Sequence, residues 1–180
     1  MKKYIIIILF ILACSSSDGE KNIPEFDGNI AYQYIIEQCD FGPRNPGSTG
    51  HQEFANFLEN YLLKNSEKVI IQDFNYLEHI TGEDRKGKNL VAQFNLEAQE
   101  RLLIGAHWDT RAVADEDPNP DNRSIPILGA NDGASGTAVL MELAKIFSNN
   151  PPPIGIDLVF FDAEDVGISG QPTTYAMGSE

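Results

Sequence analysis

The chain has 180 residues, and its 13 lysines and arginines stand against 27 aspartates and glutamates, a formal net charge of −14. This acidic balance argues against nucleic acid as a partner, because phosphate binding requires a basic surface. The length suits the core of one domain, and the sequence contains no internal repeat or low-complexity tract. With only two cysteines, the chain cannot be a scaffold of several disulfides.

The N-terminus has the pattern of a secretory signal. Lys2 and Lys3 precede an apolar run at residues 4–13. This run is far shorter than the ~20 residues that a transmembrane helix needs. A basic start, a short apolar core and a small residue before the break predict a signal peptide at residues 1–13.

The end of this run resembles the cleavage motif of bacterial lipoproteins. We expect cleavage before Cys14 and lipidation of its sulfur, with export to the bacterial cell envelope. The lipid would anchor the protein to the membrane on the periplasmic or outer face. Residues 14–28 then form a lipidated, flexible tether, and residues 29–180 form the domain. An ordinary signal peptide with a chance cysteine is the alternative.

The first half of the domain predicts two helices and a hairpin. Residues 29–38 are typical of a helix. A second helix carries an apolar stripe and begins with the Thr-x-x-Gln form of a capping box at Thr49. His51 lies in its first turn and is expected to be exposed. Residues 69–76 and 88–95 predict two strands joined by a polar turn.

Two apolar runs and the helix between them predict a crossover unit. Residues 102–106 and 156–161 are near-continuous apolar runs, as expected for parallel strands that are buried on both faces. The helix begins near Asp132, among glycines that permit tight turns. A strand, a helix and a parallel strand of this kind predict the α/β class.

Polar side chains follow both strands, at the edge where open α/β sheets bind ligands. His107 follows the first strand, Glu164 and Asp165 follow the second, and Asp132 lies at the mouth of the helix. One imidazole and several carboxylates predict a zinc-type metal site. Asp109 is two residues from His107, so in an extended strand both point the same way, which suits a carboxylate that orients the histidine.

The loop at residues 109–129 is acidic and long for such a connection. It imitates the first ligand positions of a calcium-binding EF-hand at Asp115, Asp117, Asn119 and Asp121. Proline occupies the positions that require glycine and glutamate in that motif. We therefore interpret the loop as a solvated acidic rim.

Three ordered motifs resemble the zinc aminopeptidase and glutaminyl cyclase family, and most closely its bacterial glutaminyl-peptide cyclotransferases. They are GAHWDTR at residues 105–111, GANDGASG at residues 129–136 and FFDAED at residues 160–165. The resemblance implies a three-layer α/β sandwich around a mixed, mainly parallel central sheet.

The resemblance also implies roles for the site residues. Asp132 and Asp165 would bind zinc, and Glu164 would be the general acid and base. His107 would occupy the position of a second metal, and Asp109 would hold His107. One zinc ion is expected for a cyclase and two for an aminopeptidase.

The activity implied by the resemblance is cyclisation of the N-terminal glutamine of peptides or proteins to pyroglutamate, with release of ammonia. The alternatives are a zinc aminopeptidase and a peptide-binding lipoprotein without activity. The family continues beyond Glu180, where its last zinc-binding histidine is expected, so residues 1–180 alone are expected to be inactive. The strand at residues 156–161 is then expected to lack a neighbour on one side.

Overall fold

The computed structural model of the chain describes residues 23–79 and 82–179. The predicted signal peptide at residues 1–13 and the predicted lipidation site Cys14 lie outside the described residues. Within the two described ranges, no helix combines the length and the apolar character that a membrane span requires.

The described residues form three α-helices and four β-strands. In chain order these are α1 Gly28–Asp40, α2 Thr49–Asn65, β1 Lys68–Glu78, β2 Glu83–Phe94, β3 Arg101–His107, α3 Ala134–Asn149 and β4 Gly155–Phe161. The strands form one sheet in the order β1-β2-β4-β3. β1 and β2 form the predicted antiparallel hairpin, β2 pairs antiparallel with β4, and β3 pairs parallel with β4 through the α3 crossover. The predicted α/β class with a mixed sheet is confirmed, although two of these three pairings are antiparallel.

Helices α2 and α3 cover one face of the sheet. Alternate residues of the strands and residues three or four apart on the helices supply this core, as the two periodicities require. Its buried members include Leu90, Ala92 and Phe94 of β2, Ile156, Leu158 and Phe160 of β4, Phe54, Leu58 and Leu62 of α2, and Leu140, Met141 and Ala144 of α3. Burial of each large apolar side chain is worth roughly 1.5–3 kcal/mol. The core therefore holds β2 and β4 against α2 and α3.

β3 and β4 differ in burial although both are apolar. β4 is paired on both sides, by β2 and β3, so the expectation that residues 156–161 lack a neighbour is wrong. β3 pairs only with β4 among the described strands. Leu102 and Leu103 are consequently 50% and 60% exposed, and the prediction that residues 102–106 are buried on both faces is wrong for the described part of the chain.

The cap of helix α2 lies one residue earlier than predicted. Ser48 is the cap, and its hydroxyl accepts the His51 N–H at 3.1 Å. Thr49 is therefore the first helical residue and not the cap. His51 lies in the first turn, as predicted, but its side chain is buried.

Candidate active site

β3 and β4 end side by side, and their ends carry the predicted site. His107 is the last residue of β3 and is in register with Phe161, the last residue of β4. The pairing extends one residue further, because the Trp108 N–H donates to the Phe161 carbonyl at 2.9 Å. Glu164 and Asp165 follow shortly after. The strand register therefore brings the histidine and the acidic pair to one edge of the sheet.

The start of α3 brings Asp132 to the same edge. Gly133 caps the helix with φ of 87°, a conformation that glycine adopts readily. A Cβ at this position would lie 2.5 Å from the Asp109 carbonyl oxygen, so glycine permits the close approach. The Thr137 hydroxyl donates to the His107 carbonyl at 2.8 Å. As a result, His107 Nε2 lies 2.9 Å from Asp132 Oδ1.

Asp109 is completely buried and holds the backbone of the acidic pair. Its Oδ1 accepts the Glu164 N–H at 3.0 Å, and its Oδ2 accepts the Asp165 N–H at 3.1 Å. Its predicted partner is His107, whose Nδ1 lies 3.4 Å from Asp109 Oδ1. That separation is long for a hydrogen bond, and the buried Nδ1 has no well-aligned partner within the described residues. Sequence reasoning missed the two main-chain contacts of Asp109 because they depend on the register of β3 and β4.

Arg111 was not predicted as a site residue, yet it connects Asp165 to the acidic loop. Its Nη1 donates to Asp165 Oδ1 and to the Gly167 carbonyl, each at 3.1 Å. Its Nε and Nη2 donate to the two oxygens of Asp115 at 2.7 and 2.6 Å. Asp115 is thus paired and not free in a solvated rim. Two-point pairing of this kind is among the stronger polar contacts in proteins.

The ionisable groups at this edge shift one another's pKa. Burial raises the pKa of Glu164 above its ordinary value, although His107 opposes the shift. Burial raises the pKa of Asp165 to about 6. Burial lowers the pKa of His107, but the carboxylates of Asp109, Glu164 and Asp132 outweigh it and raise the value to about 9. A carboxyl group with a raised pKa is suited to accept and return a proton near neutral pH.

The donor atoms at this edge are of the types that zinc binds. They are the imidazole of His107 and the carboxylates of Asp132 and Asp165. Within residues 23–79 and 82–179, no group of three or more His, Cys, Asp or Glu side chains is close enough together to hold an ion. The residues fit zinc in the type of their donor atoms but are not gathered around one point, and only His107 Nε2 and Asp132 Oδ1, at 2.9 Å, are in contact.

A second histidine–carboxylate pair lies beneath the acidic turn. His51 is only 8% exposed, so the expectation that it is exposed is wrong. Its Nε2 lies 2.9 and 3.0 Å from the two oxygens of the completely buried Asp162. Its ring stacks on Trp108, with 4.4 Å between the ring centroids. The partners are 111 residues apart in the chain, so no local pattern could reveal the pair.

The structure is similar to solved bacterial glutaminyl cyclases and zinc-dependent exopeptidases. The structure is similar to Bacteroides thetaiotaomicron glutaminyl cyclase bound to N-acetylhistamine, with 38% identity, a TM-score of 0.84, and coverage of 88% of this chain and 56% of that one. It is similar to Tannerella forsythia glutaminyl cyclase, with 41% identity, a TM-score of 0.83, and coverage of 87% and 55%. A leucine aminopeptidase precursor from Bacteroides thetaiotaomicron gives 38% identity, a TM-score of 0.83, and coverage of 88% and 56%.

Residues 89–176 match the sequence model of Peptidase family M28. The resemblance inferred from the three motifs is thereby confirmed. The chain spans just over half of the solved structures and less than half of the first curated relatives that it matches.

Proposed function

We propose that the protein is a zinc-dependent glutaminyl-peptide cyclotransferase that acts on the N-terminal glutamine of peptides or proteins. The observation that carries an enzymatic function is the position of Glu164 at the strand ends. Its Oε2 lies 3.9 Å from His107 Nδ1, and burial raises its pKa. The likeness to two solved glutaminyl cyclases supports this chemistry over others.

Each residue has a defined task in this proposal. Asp132 and Asp165 would hold the single zinc ion, and His107 would remain near the site without a full set of ligands for a second one. Bound zinc supplies Lewis acidity at the side-chain carbonyl of the substrate glutamine. Glu164 accepts a proton from the α-amine while the amine nitrogen bonds to the amide carbon. As the bond from that carbon to the amide nitrogen breaks, Glu164 returns the proton to the departing ammonia.

A zinc aminopeptidase is the second candidate. It is supported by the likeness to the leucine aminopeptidase precursor, which has the same identity and coverage as one of the cyclases. In this proposal Glu164 takes a proton from a water molecule that attacks the carbonyl carbon of the first peptide bond, and returns it to the departing amine as the carbon–nitrogen bond breaks. Two zinc ions are then expected, with His107 bound to the second.

The two candidates differ in what happens to the peptide. The full-length protein is given a peptide that begins with glutamine and a matched peptide that begins with leucine. A cyclase releases ammonia from the first peptide only and leaves its residue count unchanged in mass spectrometry. Loss of a whole N-terminal residue from both peptides selects the aminopeptidase. Binding without any turnover selects a peptide-binding lipoprotein.

The acidic pair provides the internal control. Glu164→Gln is expected to retain zinc and lose about 10² to 10⁴ in turnover, the usual range for a general acid or base. Asp165→Ala is expected to lose zinc. Full activity of Glu164→Gln would contradict the assigned role, whichever substrate is used.

We also propose that the protein is exported and anchored to the membrane through lipid on Cys14. The support is the lipoprotein-like sequence around that residue. Cys14→Ser is expected to release the protein from the membrane fraction or to block its processing. Unchanged processing and membrane association of this variant would refute the anchor.

A further inference from the structure

The turn that carries Glu164 is strained. Ala163 has φ of 56°, and its side chain is completely buried. For a residue other than glycine this left-handed conformation is energetically unfavourable. Such a conformation persists only where the surrounding structure holds it. The groups that hold Ala163 therefore also fix the direction in which Glu164 leaves the strand.

Asp162 is the first of these groups. Its Oδ1 accepts the Ala163 N–H at 2.8 Å, and its Oδ2 accepts the Lys88 N–H at 2.8 Å. Its own N–H donates to Asn89 Oδ1 at 2.9 Å. Asp162 thus ties the turn to strand β2 twice, through its side-chain carboxylate and through its main-chain N–H.

His51 fixes the orientation of this carboxylate. Its Nε2 lies within 3.0 Å of both Asp162 oxygens, each of which also accepts a main-chain N–H. The Nε2 atom therefore serves as the donor between them. His51 is itself fixed, by the Ser48 cap on its backbone and by stacking on Trp108.

The other side of the turn is equally constrained. The N–H groups of Glu164 and Asp165 donate to Asp109, and the carbonyls of Ala163 and Glu164 accept the N–H groups of Met177 and Ala176, each at 2.9 Å. Three successive N–H groups of the turn are thus received by two buried carboxylates. Of these two, only Asp162 is oriented by a residue from α2.

We propose that His51 is a positioning residue, which acts through Asp162 and the turn at Ala163 to aim the carboxylate of Glu164. The inference rests on the proposed role of Glu164 as the proton carrier. His51 takes no part in proton transfer and does not touch the substrate. A displacement of about 1 Å in a catalytic group can cost on the order of 10² in rate. Loss of the His51 contact should therefore appear in kcat and leave KM nearly unchanged.

Two substitutions that each introduce a side-chain amide at His51 separate an effect on the position of Glu164 from an effect on overall stability. In His51→Gln the side-chain amide reaches the place of Nε2 and can donate to Asp162. In His51→Asn the amide is too short to reach it. Leu58→Ala, in the same helix and completely buried, is the matched stability control. It is expected to lower the melting temperature by on the order of 5–10 °C.

The variants are made in the full-length protein and assayed below their melting temperatures. We expect His51→Asn to lose about 10- to 100-fold in kcat, His51→Gln to retain most of it, and Leu58→Ala to keep it. A kcat for His51→Asn within about twofold of the parent protein would overturn the proposal. So would an equal loss of kcat in Leu58→Ala.

A structural readout keeps this test separate from the proposed activity. Amide hydrogen exchange at residues 163–165 is measured in the same proteins. Slow exchange in the parent protein and in His51→Gln, with fast exchange in His51→Asn, supports the positioning role even if no substrate is turned over. Equal exchange in His51→Gln and His51→Asn refutes it. Absence of turnover in the parent protein refutes the proposed function alone.

Discussion

Two buried aspartates, Asp109 and Asp162, hold the same turn from opposite sides. Both are completely excluded from solvent, and each follows the end of one of the two parallel strands. Asp109 receives the N–H groups that follow Ala163, whereas Asp162 receives the N–H group of Ala163 itself. Each also lies beside a histidine, His107 for Asp109 and His51 for Asp162.

The two histidines differ in what else they contact. His107 faces the open edge of the sheet, where its Nε2 meets the largely exposed carboxylate of Asp132. His51 packs against Trp108 and uses its Nε2 within the protein. A histidine and a carboxylate can thus form part of the candidate site or part of the support beneath it. The difference is that Nε2 of His107 is directed outward, toward Asp132, whereas Nε2 of His51 is directed inward, toward Asp162.

Asp162→Ala should have the largest effect on stability. It removes the acceptor of two main-chain N–H groups and of His51, and an orphaned buried donor costs roughly 1–3 kcal/mol. Burial raises the pKa of Asp162, so part of this loss is offset by removing a desolvated charge. We expect a loss of about 3–5 kcal/mol in the free energy of unfolding, measured by urea denaturation.

Asp109→Ala should cost less stability and more catalysis. It orphans two N–H groups, for an expected loss of about 2–4 kcal/mol. Both groups belong to the acidic pair, so we expect turnover to fall by about 10² or more even when the protein is folded. Stability and kcat are measured on one preparation. If Asp162→Ala lowered kcat more than Asp109→Ala in the folded state, the distinction between Asp109 as part of the candidate site and Asp162 as part of the support beneath it would be wrong.

The convergence of the candidate-site residues was predictable because local spacing puts His107, Glu164 and Asp165 at or just after the ends of two strands of one crossover. His107 ends β3 and Asp109 comes two residues later, and Glu164 and Asp165 follow the next strand of the same crossover. The support was not predictable, since it depends on contacts between distant segments. Asp162 is a strand-end residue like its neighbours, and its partner His51 comes from a helix whose start was predicted one residue late.

The burial of the two strands could not be predicted for a related reason. Residues 102–106 and 156–161 have the same apolar character, but burial depends on how many neighbours each strand has. The position of β4 between β2 and β3 is a property of the sheet order, which no local pattern contains.

Trp108→Phe tests whether the support depends on stacking or on hydrogen bonding. Phenylalanine keeps an aromatic ring against His51 but loses the indole N–H that donates to the Lys88 carbonyl at 3.2 Å. We expect a loss of about 1–2 kcal/mol in stability from the hydrogen bond and the smaller volume. The decrease in kcat should be smaller than in His51→Asn. An equal decrease would mean that stacking, and not the contact with Asp162, positions the turn.

Ala163→Gly should have the smallest effect, because three contributions nearly cancel. Glycine relieves the left-handed strain, worth roughly 1–2 kcal/mol. The variant loses the burial of one methyl group against Tyr76 and Val166, worth about 0.8 kcal/mol. It also gains freedom in the unfolded state, which costs roughly 0.5–1 kcal/mol. We expect the free energy of unfolding to stay within about 0.5 kcal/mol of the parent value. A stabilisation of more than about 1 kcal/mol would show that the strain at Ala163 exceeds the contribution of its buried methyl, and that the two carboxylates hold the turn against a larger opposing energy.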